Sequence, residues 1–162
     1  MSEAPALVEL VTRDQFESYI EIKGKNQLIG DGFSTLKESK NPKEYTRKYV
    51  NMKTEKTDVI GYSPSIEYTL DVYSNSPVVD DFVTIADEEL TGNDAIRTIT
   101  NVNKWKKDES GKFYAVQRSY AVIPSDKGDG TDALIYSGTM KAASDLVIGT
   151  FDDSTKTFTA NE

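Results

Sequence analysis

Between positions 66 and 73 the apolar residues Ile66, Tyr68, Leu70 and Val72 alternate with Glu67, Thr69, Asp71 and Tyr73. Side chains of an extended strand point alternately to opposite faces, so this spacing predicts a strand with one dry face and one wet face. The wet face carries two acids, Glu67 and Asp71, flanking Thr69. Residues 95–105 are rich in β-branched residues and end in Trp105, and 113–123 reads as a strand with Tyr114, Val116, Tyr120 and Val122 on one face. Pro124 is expected to stop that strand. Further strands are predicted at 133–143, with Leu134, Tyr136 and Met140 on one face, and at 146–151 and 156–160 around an Asp152–Thr155 turn.

One helix interrupts the pattern at about 77–90. Ser76 suits the N-cap, Pro77 the first helical position, and Gly92 the exit. Val79, Phe82, Val83, Ala86 and Leu90 form an apolar stripe at helical spacing. Val78 and Ile85 sit on its flank, where they either widen the core face or meet another subunit. Asp80 and Asp81 lie where the helix dipole favours acids; Asp87, Glu88 and Glu89 lie where it does not. Those last acids are either solvated or paired with a basic surface elsewhere. The predicted fold is mainly β: a β-sandwich or partly open barrel in one domain, with a single packed helix.

Charge is unevenly placed. The chain of 162 residues has a formal charge of −8. Residues 37–56 hold seven basic residues, Lys37, Lys40, Lys43, Arg47, Lys48, Lys53 and Lys56, against Glu38, Glu44 and Glu55. That leaves +4 in the segment and −12 on the remainder. Tyr45, Tyr49 and Met52 lie among these charges. The stretch reads as a projecting basic loop or hairpin over 33–60, with arms at Phe33–Glu38 and Glu44–Val50 around an Asn41–Pro42 turn. It is either an ordinary solvated loop or an arm that meets a sister copy, basic against acidic.

Cysteine and histidine are both absent. No disulfide, thiolate nucleophile or usual zinc site can be built, nor a Ser-His-Asp or Cys-His constellation. Neighbouring carboxylates on a helix point about 100° apart, so Asp80–Asp81 and Asp87–Glu89 do not form the facing pair that glycoside hydrolysis needs. Acids from different elements are left free to converge. Asp126, Asp129 and Asp132 occupy a Gly-containing loop without the EF-hand spacing, better read as a polar turn than a calcium site. The acidic balance argues against nucleic-acid binding. No stretch approaches the roughly 20 apolar residues of a membrane helix, and the N-terminus carries no secretory pattern. The expectation is a non-enzymatic protein without cofactor, made in a cytoplasm.

In order, the elements resemble those of the major tail (tail tube) proteins of tailed phages of Gram-positive bacteria. The resemblance covers about residues 15–160. It rests on the strand near Phe16–Ile22, the charged excursion at 33–60, Ser65–Tyr73, the helix from Pro77 to Leu90, Ala133–Met140, and the closing Gly149–Asp152 with Thr157–Thr159. It implies a tail-tube-like domain with an N-terminal arm (1–14), six copies forming a ring, and rings stacking by the projecting loop. It also implies an inner β-barrel that holds a tape-measure protein and later passes DNA, with other tail proteins as partners and the virion as the destination. On that basis Glu67, Thr69 and Asp71 are candidates for the lumen. Lys37, Lys40, Lys43, Tyr45, Arg47, Lys48, Tyr49 and Met52 are candidates for the inter-ring contact, and Val78, Ile85, Glu88 and Glu89 for a helix flank between subunits. A strand such as 66–73 would close the ring by pairing its edges. The rival readings are a carbohydrate- or ligand-binding β-sandwich module, a carboxylate-based hydrolase, and another tail component such as a terminator.

Overall fold

The computed structural model describes residues 8–161; residues 1–7 of the expected N-terminal arm lie outside the described residues. Eleven strands and one α-helix follow in the order β1 (Phe16–Ile22), β2 (Lys25–Leu28), β3 (Phe33–Ser39), β4 (Pro42–Arg47), β5 (Lys56–Tyr62), β6 (Ser65–Asp71), α1 (Pro77–Asp87), β7 (Ile96–Lys107), β8 (Phe113–Asp129), β9 (Ile135–Ala142), β10 (Val147–Asp152) and β11 (Thr157–Ala160). Nine strands form one antiparallel sheet running β2-β1-β7-β8-β9-β6-β3, with the β10–β11 hairpin attached to β8. The sheet curls into a partly open barrel, as the sequence predicts. Strands β4 and β5 stand apart as a separate two-stranded hairpin.

Strand β8 organises the sheet. On one side β7 pairs with Phe113–Ala121; on the other, β10 takes Phe113–Gln117 and β9 takes Tyr120–Asp129. Pro124 does not stop this strand. The register shifts between Pro124 and Asp126, and a bulge tolerates the missing amide donor. The acids expected in a loop after Pro124 therefore begin inside a strand, where Asp126 lies opposite Ser137. The β1–β2 turn has Lys23 and Gly24 both at positive φ, 51° and 79°. That pair suits a tight hairpin, whose twist matches that of its strands.

Helix α1 lies on one face of the sheet. Ser76 caps it by accepting a hydrogen bond from the Val79 amide at 3.4 Å, and Pro77 opens it. It ends earlier than the Gly92 signal suggests: Glu89 takes the left-handed conformation (φ 51°) and the Leu90 amide donates back to the Ile85 carbonyl at 3.1 Å. Val78, Val79, Phe82 and Ile85 are its buried residues. They pack on Ile20, Ile99, Tyr120, Val122, Met140 and the alternating trio Ile66, Tyr68 and Leu70. Phe82 lies 4.8 Å from the ring of Tyr68 and 5.2 Å from that of Phe33, the latter edge-on, a geometry the ring quadrupoles favour. Val78 and Ile85, at 5% and 1% exposure, are thus part of the chain's own core and leave nothing for a neighbouring subunit to grip.

A second, smaller core forms on the opposite face, where the closing hairpin folds back. Tyr19, Val102, Ala115 and Phe151 meet there, with the rings of Tyr19 and Phe151 4.6 Å apart. Lys156 tethers the hairpin tip: its ammonium bridges Asp153 at 2.8 Å, and its carbonyl accepts from Asn26 of β2 at 3.0 Å.

Candidate functional site: an open polar sheet face and a detached hairpin

Beyond that second core, the face of the sheet turned away from α1 carries no buried hydrophobic cluster among the described residues. Directly opposed residues of an antiparallel pair project to the same side, so the register defines its surface. One row runs Lys37–Glu67–Thr139–Ile123. The next runs Thr35–Thr69–Ser137–Asp126, and a third Ser39–Ser65–Lys141–Ala121. The face is thus dominated by hydroxyls, with Lys37 and Lys141 set among Glu67, Asp71 and Asp126.

Glu67, Thr69 and Asp71 do lie together on the wet face of β6, as the alternation predicts. Two features differ from the sequence reading. Both edges of β6 are occupied, by β3 and β9, so this strand does not close a ring by edge pairing; β3 is the terminal strand on that side. Moreover Lys37, expected in the inter-ring loop, is the cross-strand neighbour of Glu67. The acids of this face therefore have a lysine among them, and the surface is of mixed charge. Ser137 and Thr139 were open to detection, because they alternate with Tyr136 and Met140 through β9, but their face becomes apparent only with the pairing to β6.

The basic excursion divides in two. Its first part, β3, belongs to the sheet, and Lys40 bridges Glu38 at 3.2 Å beside it. The expected turn at Asn41–Pro42 is instead the base of the hairpin. There Asn41 Nδ2 donates to the Ser63 carbonyl at 3.1 Å and to Ser65 Oγ at 3.2 Å. The arms are β4 and β5, paired from Pro42↔Tyr62 to Arg47↔Lys56 with a register shift between Lys43 and Glu44 that leaves Ile60 unopposed. Of the inter-ring candidates, Lys43, Tyr45, Arg47, Lys48, Tyr49 and Met52 lie on this hairpin.

Its two faces differ in chemistry. Tyr45 and Arg47 share one with Asp58 and Lys56, and the Arg47 guanidinium lies 5.1 Å from the centre of the Tyr45 ring. Thr46, Thr57 and Val59 share the other, where the Thr46 and Thr57 hydroxyls are 3.0 Å apart. Val59, Ile60 and Tyr62 are more than half exposed. Two-stranded hairpins have little stability of their own in water, so a partner for these apolar residues would stabilise this one. The sequence reading overlooked Val59 and Ile60, hidden behind the lysines; two adjacent β-branched apolar residues after Asp58 were the signal.

Of the helix-end acids, Glu88 and Glu89 are exposed. Asp87 accepts hydrogen bonds from Lys127 Nζ at 2.7 Å and from the Tyr136 hydroxyl at 2.8 Å. The Lys127 ammonium, then the Tyr136 hydroxyl, hold the Asp87 carboxyl below its usual range. This acid thus finds its base within its own chain and fastens the end of α1 to β8 and β9.

No protein-family model matches the sequence, and no curated protein matches it. Solved structures match the fold. A chain from the tail of an empty GTA particle, computed with helical refinement and C6 symmetry, aligns with a TM-score of 0.61 at 13% identity. That alignment covers 93% of this chain and 100% of the other. A chain of the cryo-EM structure of the anti-feeding prophage cap, the tube-terminating cap, aligns with a TM-score of 0.51 at 12% identity, over 91% and 96% of the two chains. Over nearly its whole length, then, this chain has a tail-tube-like β fold, shared with a chain of each of those two assemblies.

Proposed function

We propose that the protein is a structural subunit of a tail tube, like those of the tailed phages of Gram-positive bacteria that its sequence resembles. Six copies form a ring, rings stack, and the hydroxyl-rich face of β3, β6 and β9 lines a conduit for DNA in the assembled virion. A tape-measure protein occupies that conduit during assembly. The observation that carries this reading is the end-to-end match of the fold to a chain of a C6-symmetric tail. The division of the sheet supports it: one face is covered by α1, and the other is polar over β3, β6 and β9. A conduit wall must be hydrated and free of apolar patches if a polyanion is to slide past it.

Stacking is assigned to the β4–β5 hairpin, whose exposed Val59, Ile60 and Tyr62 a neighbouring ring would cover. The test is electron microscopy of the purified chain beside a variant in which residues 43–61 are replaced by a two-residue turn. The hydrogen bonds of Asn41 to Ser63 and Ser65 keep the base of the hairpin closed in that variant. The intact chain is expected to form rings and tubes, and the variant to stay folded without stacking. Monodisperse monomers of the intact chain at high concentration would refute the tube; stacking by the variant would refute the role of the hairpin.

A further inference from the structure

The two ends of the β3–β6 pair carry opposite charge. At the Ser39↔Ser65 end the β4–β5 hairpin departs. It packs along neither β3 nor β6. Its outer turn is the run Lys48-Tyr49-Val50-Asn51-Met52-Lys53. Val50 is 109% exposed and Tyr49 50%, so an apolar centre stands in the open between two lysines. Residues 45–54 hold Arg47, Lys48 and Lys53 and no acid. At the other end, Phe33↔Leu70, the Asp71 amide donates to the Gly32 carbonyl at 2.7 Å. Two open grooves of about 440 and 500 Å³ lie there, and Tyr73, more than half exposed, lines both. Val72, Pro77 and Val83 line the first together with Asp80; Asp31 and Asp71 line the second. No basic residue lines either groove, and among the described residues none of these three carboxylates makes an ion pair.

We infer that the outer turn of the hairpin of one copy seats on these grooves in a second copy. Tyr49 and Val50 meet Tyr73 and the valine-lined wall, while Arg47, Lys48 and Lys53 come among Asp31, Asp71 and Asp80. Both surfaces have the same plan, an exposed apolar centre flanked by charge, with the sign reversed between them. Opposite potentials steer two such surfaces together and fix their orientation, and the buried aromatic and apolar centre supplies the affinity. Charge by itself would accept any basic segment; the apolar pair set between lysines is what selects this one. The donor is a different copy from the acceptor. Six residue steps of about 3.4 Å separate the two ends of the β3–β6 pair, about 20 Å in all, and the hairpin leaves from the far end without running back along either strand. A donor at one end and an acceptor at the other make a heterologous, head-to-tail contact, which runs on from copy to copy. The inference rests on the stacking role proposed above for the hairpin and gives that role its receiving surface.

The chain has no cysteine, so paired thiols report the contact without background. Ser74 lines both grooves. Val50→Cys chains mixed with Ser74→Cys chains under mild oxidation are expected to give mixed disulfide dimers severalfold in excess of either homodimer. Lys48→Asp with Lys53→Asp on the Val50→Cys chain should lower that yield severalfold, and Asp31→Lys with Asp80→Lys on the Ser74→Cys chain should restore it. Mixed dimers no more abundant than homodimers would overturn the inference. So would a yield that ignores the charge reversals while circular dichroism shows the variants folded. The crosslink alone uses exposed positions and changes no charge, so it decides the matter even where a reversal unfolds its chain. Tubes in the microscope without this crosslink would overturn the receiving surface and leave the tube standing. Mixed dimers from a chain that forms no tubes would instead sink the tube and keep the contact.

Discussion

Tyr68 lies at the centre of the main core, 2% exposed, between α1 and the sheet. Desolvation pushes its phenol up to about 12 from 10.0. Folding therefore favours the protonated form, and the sign of the linkage follows. The contribution is fully present below pH 10.0, where the unfolded chain is also protonated, and is lost as pH rises towards the folded value near 12. At about pH 11 the unfolded state gains about 1.4 kcal/mol from this one phenol, and the loss approaches about 2.7 kcal/mol once both states ionise. Burial also raises Tyr120 and Tyr19 to about 12, helped by Glu38 and Glu17 respectively. They add in the same direction, by amounts reduced where solvent screens those carboxylates. Against a domain stability of about 5–15 kcal/mol, the fold should hold to pH 10.0 and then unfold cooperatively. Phenolate absorbance and far-ultraviolet circular dichroism, followed in one alkaline titration, should change together. Tyr68→Phe keeps the ring beside Phe82 and removes the ionising group, so its unfolding midpoint should move to higher pH. Phenolates that appear in full while the dichroism is unchanged, or a Tyr68→Phe midpoint that does not move, would refute the reasoning.

Phe82→Ala empties the contact with Tyr68 and Phe33 and should cost about 3–5 kcal/mol in urea unfolding, a large share of a typical domain's stability. Asp87→Asn should flatten the acid side of the stability profile. The depressed Asp87 carboxyl contributes stability above 3.8 that is lost as pH falls through its folded value, and urea midpoints taken down through that range would show the difference. Gly138→Ala should destabilise by about 1–3 kcal/mol. An added Cβ there would lie 2.5 Å from the Ile123 carbonyl and 2.9 Å from Pro124 Cα, and a thermal melt would report the loss.

Alternation of apolar and polar residues was enough to locate β6, β9 and most of β8, because period two leaves no choice of face for Ile66, Tyr68 and Leu70; β-branched composition located most of β7. Ser76 and Pro77 likewise fixed the start of α1, a local matter of amide donors and backbone angle. The end of α1 escaped the sequence, since Glu89 adopts the left-handed conformation that glycine usually supplies, three residues before Gly92. Pro124 misled for a different reason: a bulge, formed where β8 pairs with the next strand β9, absorbs a residue that local rules treat as a stop. The charges at 37–56 announced an unusual segment but not its division into a sheet strand and a hairpin. That division depends on β3 finding β6, some thirty residues away.

What the sequence determined by itself was a mainly β chain with one helix, a dry and a wet side to each strand, and the absence of thiol and imidazole chemistry. Only the tertiary structure decided which wet sides meet. Lys37, Glu67 and Thr139 come from three strands and become one row through pairing register. The free edge of β3 likewise exists only once every other strand has found its neighbours. Periodicity is a property of consecutive residues, whereas register and edges are properties of contacts between residues far apart in the chain.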